Sequence, residues 1–499
     1  MADVILFYPK TGFDIKKVSV DIPIALLAVS SFIAERHKVK IIDQRVEEDW
    51  ESKLTEELKK NPVCLGVTAM TCPQITYALQ ACAMAKKTSP ETITVWGGVH
   101  ATLMPEETLR HPSVDIVMRG EGEISFKNLV NRLCMDRKSD LTPIRGISFK
   151  DKNGKIIHTP VEKVLPMDQT VDLPYQLLGN IEDYIGSQGR FKNETARSLI
   201  YISSRGCPYR CTFCAMPGLD EVRWRSEPVE LTYRRISMLK ERFKLDSITF
   251  HDENFMVDTK RVNRLAEMIN GEFKWWVQAR MDSLLRFDIN KLVKNGLESL
   301  QPGLESGSDR ILKMIKKGET IEEYIEANKK LAKTDMEPLY NFMIGFPTES
   351  EEEIFMTVDL ALRMLEDNNK AMIAGFYVVV PYPGTDLYDL ALKYGFVQPD
   401  RLEDWAQYNR QHLATPWIQD KLDLIESVKL SSRFVDGVRL PRRVKHSFGK
   451  IPAPVEPLKL IGKYYQWRWR RRRFNKNLDK VVNSFVMSLF SLSQRLHRN

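Results

Sequence analysis

Three cysteines stand within eight residues in Arg205-Gly-Cys207-Pro-Tyr-Arg-Cys211-Thr-Phe-Cys214, with three and then two residues between them. Thiolates so spaced on one short loop can converge on one metal centre, and soft sulfur selects zinc or iron–sulfur. A structural zinc site wants four closed ligands, usually as two pairs. The remaining cysteines, Cys64, Cys72, Cys82 and Cys134, are isolated and lie well upstream, so no second pair exists. Three protein thiolates on a four-iron cluster leave one iron open, which is what a catalytic site needs. Ligand arithmetic therefore favours an open iron–sulfur cluster over zinc and over plain structural cysteines.

The elements that must position this loop follow from the hydrophobic pattern. Strand-like runs are expected at 198–203, 247–251, 275–279, 299–303, 339–344 and 375–380, with helical periods between them. Six βα units predict a partial (β/α)6 TIM-like barrel over 196–393, and the cysteines fall in the loop after its first strand, at the catalytic end. Residues 1–135 alternate five further apolar runs with helices, the pattern of a doubly wound parallel sheet whose ligands sit at the carboxyl ends of the strands. Residues 136–195 break into a hairpin around Asn153-Gly154 and a proline-punctuated connecting arm. After about Lys393 the alternation stops, and 394–499 read as a mainly helical carboxyl-terminal region with a basic amphipathic tail. The expected fold class is thus α/β, a doubly wound Rossmann-like domain followed by a partial barrel.

The cysteine loop, with Phe213 directly before the last thiol, resembles the hallmark of the radical S-adenosylmethionine (SAM) superfamily. Further segments are similar to successive strand-end motifs of that barrel, in family order: Ile248-Thr-Phe-His-Asp252-Glu253-Asn254, Trp276-Val-Gln-Ala-Arg280, Gly303-Leu-Glu305-Ser306, Met343-Ile-Gly345-Phe-Pro347 and Val380-Pro-Tyr-Pro383-Gly384. The resemblance implies a 4Fe-4S cluster on Cys207, Cys211 and Cys214, and SAM held by Phe213, Asp252, Glu253, Arg280, Glu305, Ser306 and Gly345. A buried polar cofactor needs charged and hydrogen-bonding partners at strand ends, and these residues supply them.

In the amino-terminal domain, Trp96-Gly97-Gly98-Val-His100 and Arg119-Gly120-Glu121-Gly122-Glu123 resemble loops of the cobalamin-binding domain that precedes the barrel in a large branch of this superfamily. Paired glycines remove side chains where a bulky ligand would meet backbone. Many methyl-transferring cobalamin proteins carry Asp-x-His-x-x-Gly after the first strand, whereas here that strand ends Tyr8-Pro-Lys-Thr-Gly12 with no histidine. The radical SAM branch usually lacks that histidine too. By resemblance, cobalamin meets Gly97, Gly98, Gly120 and Glu121, with His100 a pocket or helix-start residue and the loop Met70, Thr71 and Cys72 facing the lower side of cobalt.

Bulk properties exclude several classes. With 499 residues, 43% hydrophobic and 28% charged, the chain is neither wholly disordered nor polytopic. No secretory leader is read at Met1, no apolar run reaches the roughly 18 residues a membrane span needs, and seven cysteines make no disulfide scaffold, so a reducing cytoplasm is expected. The net charge of +8 is concentrated at one end, since residues 463–499 carry ten Lys/Arg against the single Asp479. There Lys463-Tyr-Tyr-Gln-Trp-Arg-Trp-Arg-Arg-Arg-Arg473 interleaves aromatics with cations, and Leu478, Val481, Val482, Phe485, Leu489 and Leu492 share a helical face. That composition fits peripheral attachment to the inner face of a membrane, with docking on the barrel as the competing reading and nucleic acid disfavoured.

The expected activity is radical modification, chiefly methylation, of an unactivated carbon in a hydrophobic or lipid-like substrate, using SAM, a 4Fe-4S cluster and cobalamin, with a reductant such as flavodoxin or ferredoxin. No catalytic residue beyond the cluster ligands is assigned. The resemblance extends to the anaerobic magnesium-protoporphyrin monomethyl ester cyclase and to members that join or cyclise carbon chains. Methylthiotransferases are disfavoured, because their amino-terminal domain brings three further cluster cysteines absent here. A non-catalytic cobalamin sensor or carrier is disfavoured by the cysteine triad itself.

Overall fold

The computed structural model describes every residue except 1, 2, 13, 17, 18, 221, 222, 409–414, 440, 443–454 and 497–499. The first five apolar runs form parallel strands β1 (Val4–Tyr8), β2 (Val39–Asp43), β3 (Cys64–Thr68), β4 (Ile93–Gly97) and β5 (Ile116–Met118). They read as continuous apolar runs because helices such as Gln74–Thr88 and Glu123–Met135 lie on the sheet and bury their faces against it. The strand order β2-β1-β3-β4-β5 reverses direction between β1 and β3. The crevice outside the carboxyl ends of those two strands is where such a sheet takes a ligand.

The expected hairpin forms as β6 (Ile147–Lys150) and β7 (Ile156–His158), with Gly154 at φ +77° in its turn. It belongs to the sheet, however, and not to a free arm. Strand β6 pairs antiparallel with β5 and extends the sheet to seven strands. Hydrogen bonding the exposed edge of β5 satisfies backbone groups that would otherwise be left open, and Ile147 and Phe149 are buried in the process.

The barrel opens with β8 (Ser198–Tyr201), followed by a two-residue ribbon in which β9 (Ser204–Arg205) pairs antiparallel with β10 (Arg225–Ser226). Then come β11 (Ser247–Phe250), β12 (Lys274–Ala279), β13 (Leu297–Glu305), β14 (Glu337–Ile344) and β15 (Met372–Val378). Strands β8 and β11 to β15 are all parallel and adjacent in chain order, the topology of a partial barrel with β8 and β15 at its edges. Outer helices start on side-chain caps: Asp258 accepts from the amides of Lys260 and Arg261, and Thr320 with Glu323 and Ser350 with Glu353 form capping boxes. Each cap is worth about 1 kcal/mol.

The carboxyl-terminal region is mainly helical, with Leu422–Ser431, Val455–Arg470 and Lys476–Leu496 packed on the barrel. Its basic end is docked. Tyr465, Trp469 and Val486 are buried, and Arg468 pairs with the buried Asp479 at 2.5 Å, which also accepts from the Ser427 hydroxyl. Arg470, Arg472 and Lys476 pair with Glu366, Glu352 and Asp423 of the body. The apolar face expected on the last helix therefore divides: Val482 and Val486 pack inward, while Val481 is 67% and Phe485 60% exposed. The side chains of Leu489 and Leu492 lie outside the described residues. Among the described residues, no helix is long and apolar enough to cross a membrane.

Candidate active site

The cysteine loop leaves β8 through Ser203 and Ser204 and is fixed from below by Asp252. That buried carboxylate accepts from the Ser203 amide at 2.8 Å, the Ser203 hydroxyl at 2.7 Å and the Ser204 hydroxyl at 2.6 Å. Arg261 also donates to the Ser203 hydroxyl at 2.8 Å, so a charge pair is buried around the serines. Farther on, the Thr212 amide donates to the Ile315 carbonyl at 2.9 Å and the Thr212 carbonyl accepts from Leu387 at 2.8 Å. Three separate parts of the barrel thus hold one short loop.

Cys207, Cys211 and Cys214 are free, partly buried, and line a single cavity of about 450 Å³. Burial pushes all three thiols up, Cys214 to about 11, while Lys317 and Arg280 pull Cys207 and Cys211 back toward the thiolate that ligation requires. Among the described residues, no three His, Cys, Asp or Glu side chains converge as the ligands of one metal ion. The thiols instead frame a space, which suits a multi-iron cluster whose ligands each hold a different iron.

The opposite wall of this cavity is charged. Glu305, at the end of β13, has φ +64°, where the pairing of β13 with β14 slips. Its carboxylate accepts from the Lys317 ammonium at 3.0 Å, and the same ammonium lies 3.4 Å from Glu319. Arg280 lies 3.5 Å from Glu319 and 3.2 Å from Asp282, with its guanidinium 3.7 Å over the Tyr209 ring. Burial alone would discharge Lys317, but Glu305 and Glu319 outweigh it and hold its pKa above the usual lysine value. Arg280, Lys317 and Glu305 therefore bring both signs of charge to the cavity that the thiols line, the complement of a zwitterion.

Of the residues expected around SAM, Phe213, Glu253, Arg280 and Glu305 line this cavity with the cysteines, and Asp252, Ser306 and Gly345 do not. Asp252 spends both carboxylate oxygens on the serines beneath the loop. The Ser306 hydroxyl lies 3.4 Å from that of Thr357 and accepts from the Ser308 amide at 3.1 Å. Gly345, at φ +85°, donates its amide to Glu349 at 2.5 Å and accepts from the Trp417 indole at 2.9 Å. Lys317, Tyr209 and Asn254 line the cavity without having been expected there. Asn254 sat inside a motif already quoted; it is 2% exposed, its side-chain amide lies against Cys207, and among the described residues that side chain makes no other hydrogen bond. Lys317, in Lys316-Lys317-Gly318, carried no signal that separated it from a solvated pair of lysines.

A second cavity, of about 400 Å³, opens at the carboxyl ends of β1, β3 and β4. Gly66, Gly97, Gly98, Gly120 and Glu121 line it from the sheet, and Ile202, Arg205, Met216 and Glu253 from the barrel. A Cβ at Gly98 would stand 2.7 Å from the Ala69 carbonyl, and with φ +91° only glycine fits. At Gly120 a Cβ would meet nothing within 4 Å, so the backbone there opens onto the cavity. This glycine-walled, apolar cradle fits a bulky ring system that must lie against backbone. The domains are clasped at its rim: Arg205 pairs with Glu123 at 2.7 Å and Glu121 at 3.2 Å, and Arg225 also pairs with Glu121. Glu253 lines both cavities.

The loop expected beneath cobalt does not line this cradle. His100 is fully buried, with Nδ1 2.9 Å from the Thr71 hydroxyl, Nε2 3.3 Å from Glu107, and its ring edge-on to Trp405 at 5.5 Å. Thr71 is thereby occupied, Met70 is 45% exposed with its amide held by Gln74, and Cys72 is partly buried away from the cavity.

Residues 16–130 match the B12 binding domain and residues 201–361 the radical SAM superfamily. An uncharacterised methyltransferase of Pyrococcus horikoshii is 32% identical over 397 residues, covering 78% of this chain and 83% of its own length. The chain belongs to the cobalamin-binding radical SAM superfamily. Its cofactors are accordingly a 4Fe-4S cluster, SAM and cobalamin, and it is a methyltransferase-like enzyme of that superfamily. The anaerobic magnesium-protoporphyrin IX monomethyl ester cyclase of Rubrivivax gelatinosus is 27% identical over 339 residues, 66% of this chain and 58% of the cyclase. Among solved structures, the cobalamin-dependent SAM radical enzyme OxsB matches with a TM-score of 0.71 at 16% identity, over 100% of this chain and 79% of that one. The radical SAM methyltransferase TsrM of Kitasatospora setae matches with 0.68 at 14% identity, over 95% of this chain and 100% of that one. These two likenesses concern the fold, which all three superfamily members share.

Proposed function

We propose that this enzyme is a cobalamin-dependent C-methyltransferase acting on an unactivated carbon of a hydrophobic or lipid-like molecule. The observation that carries the reading is the meeting of the two cavities at Glu253, which puts the thiol-lined and the glycine-walled sites side by side. When bound, the cluster with SAM supplies a carbon-centred radical able to take hydrogen from carbon, and cobalamin supplies a transferable methyl group. Cys207, Cys211 and Cys214 hold the cluster. Lys317 and Arg280 are placed to receive a carboxylate and Glu305 an ammonium, so the wall orients an amino-acid zwitterion, while Glu319, buried behind them, holds the two cations in place. Asn254 offers its unspent amide beside Cys207. Tyr209, stacked under Arg280, holds that guanidinium in place. Asp252 and Arg261 act one layer below, fixing the loop through Ser203 and Ser204. On the other side, Gly97, Gly98, Gly120 and Glu121 are the cobalamin contacts.

The hydrophobic substrate and a peripheral seat on a membrane are supported by the carboxyl-terminal helices, which leave Leu460, Tyr464, Trp467, Val481 and Phe485 exposed. The neighbouring cations Arg470, Arg472 and Lys476 pair with acids of the body, which leaves these apolar residues, with the exposed Lys463, Arg471 and Arg473, as the available contact. Similarity to the Rubrivivax cyclase supports a second reading, oxidative cyclisation or carbon–carbon bond formation on the same scaffold. Anaerobic reconstitution with iron, sulfide and hydroxocobalamin, a flavodoxin or ferredoxin donor, and mass spectrometry of SAM products tests the choice. Deoxyadenosine together with S-adenosylhomocysteine is expected, and deoxyadenosine alone contradicts methyl transfer.

A further inference from the structure

A third cavity, of about 500 Å³, lies between the connecting arm, the helix Val229–Phe243 and the edge strand β8. Its volume is in the range of about 300–1,000 Å³ that small-molecule sites occupy. Met167, Val171, Leu173, Ile200, Met238 and Leu239 make its walls apolar. Glu241 and Arg242 line it as exposed residues, while the other polar groups of Thr170, Asp172, Tyr201, Glu227 and Arg235 are spent on one another. The Tyr201 hydroxyl donates to Glu227 at 2.6 Å, Arg235 donates to the same carboxylate at 2.6 Å, and Arg235 also reaches Asp172 at 2.7 Å and the Thr170 hydroxyl at 2.8 Å. Away from those two exposed residues, a ligand rich in amides or phosphates would find few partners, whereas hydrocarbon would lose nothing by entering. Two apolar side chains sit exposed at the cavity, Val171 at 42% and Met238 at 49%, and Ile24, Ile202 and Arg205 line both this cavity and the glycine-walled cradle.

We infer that this cavity is the seat of the substrate's hydrocarbon portion, an alkyl or isoprenoid-like chain that enters past Val171 and Met238 and points its reacting end along Ile202 and Arg205 toward the cofactors. The inference deepens the hydrophobic-substrate reading and rests on it. Continuity with the cradle is what commits the occupant to substrate: a chain lying here ends beside the space where cobalamin is held.

The test uses the full-length protein and the fluorescent chain dansylaminoundecanoic acid, with dodecanol as competitor. Saturable binding with a blue-shifted emission is expected, displaced by dodecanol and retained after loading with hydroxocobalamin. Introducing charge at the mouth in V171E/M238E should weaken binding at least tenfold while leaving hydroxocobalamin uptake unchanged, which also reports that this variant folds. The tail variant V481E/F485E should bind the probe as the parent does. Loss of binding on cobalamin loading, indifference to V171E/M238E, or loss in the tail variant instead would each overturn the assignment. Should the probe fail while reconstituted enzyme still yields deoxyadenosine and S-adenosylhomocysteine, the cavity assignment falls alone; should those products be missing, the methyltransferase reading falls independently.

Discussion

The two cofactor cavities are built in opposite ways. The cluster cavity works through side chains: three thiols, and two cations tied to three carboxylates at 3.0 to 3.5 Å. The cobalamin cradle works through the absence of side chains, its backbone laid open at Gly120 and turned tightly against Ala69 at Gly98. Chemistry is concentrated in the first and accommodation in the second. Substitutions should therefore fail differently in the two places, by losing a function in one and by adding an atom in the other.

The largest expected effect is at the thiols. Cys214→Ala should abolish SAM cleavage and cluster absorbance on reconstitution, while hydroxocobalamin binding stays at the parent level. Loss of cobalamin binding in the same variant would break the separation of the two sites. Next comes the charged wall. Lys317→Met leaves Glu305 and Glu319 buried beside each other with Arg280 alone to offset them, and should cost about 3–5 kcal/mol in urea unfolding. The double variant Lys317→Met/Glu305→Gln should recover part of that loss without recovering SAM binding, measured by equilibrium dialysis.

In the cradle, Gly98→Ala forces a Cβ toward the Ala69 carbonyl at positive φ, and a strain of about 1–3 kcal/mol is expected. Hydroxocobalamin affinity should fall by tenfold or more, with cluster assembly untouched. The smallest effect lies outside both cavities. Glu349, buried while accepting from the amides of Gly345 and Phe346, has its carboxyl raised from 4.5 to about 7 by burial. A folded-state pKa above the unfolded one favours folding while the group is protonated. That contribution is complete below pH 4.5 and is lost as pH rises through about 7. Thermal unfolding should show the parent losing about 1 kcal/mol between about pH 6 and about pH 7.5 relative to Glu349→Gln. Parallel curves for the two proteins would contradict it.

The same contrast explains what could be read from the chain. The cysteine loop was legible because its spacing is local, and the strand order because each βα unit carries its own hydrophobic period. The positions of Asp252, Ser306 and Gly345 were legible as strand ends, but their direction was not: whether a strand-end side chain faces the cavity or the layer beneath depends on partners such as Ser203, Thr357 and Trp417, all far along the chain. Lys317 gains its meaning only from Glu305, Glu319 and Arg280 around it. The hairpin at Asn153-Gly154 was visible as a hairpin and invisible as the closing edge of the sheet, since pairing with β5 is a tertiary fact. In the tail, counting ten cations against one acid hid the buried Arg468–Asp479 pair and the ion pairs that dock the helix.

The central claim is that two separately built sites serve one reaction. It is tested most directly by quantifying deoxyadenosine and S-adenosylhomocysteine from the reconstituted parent, Cys214→Ala and Gly98→Ala side by side under anaerobic conditions. The parent should form both products, Gly98→Ala deoxyadenosine with little S-adenosylhomocysteine, and Cys214→Ala no deoxyadenosine. Undiminished S-adenosylhomocysteine from Gly98→Ala, or a parent that forms deoxyadenosine alone, would contradict it.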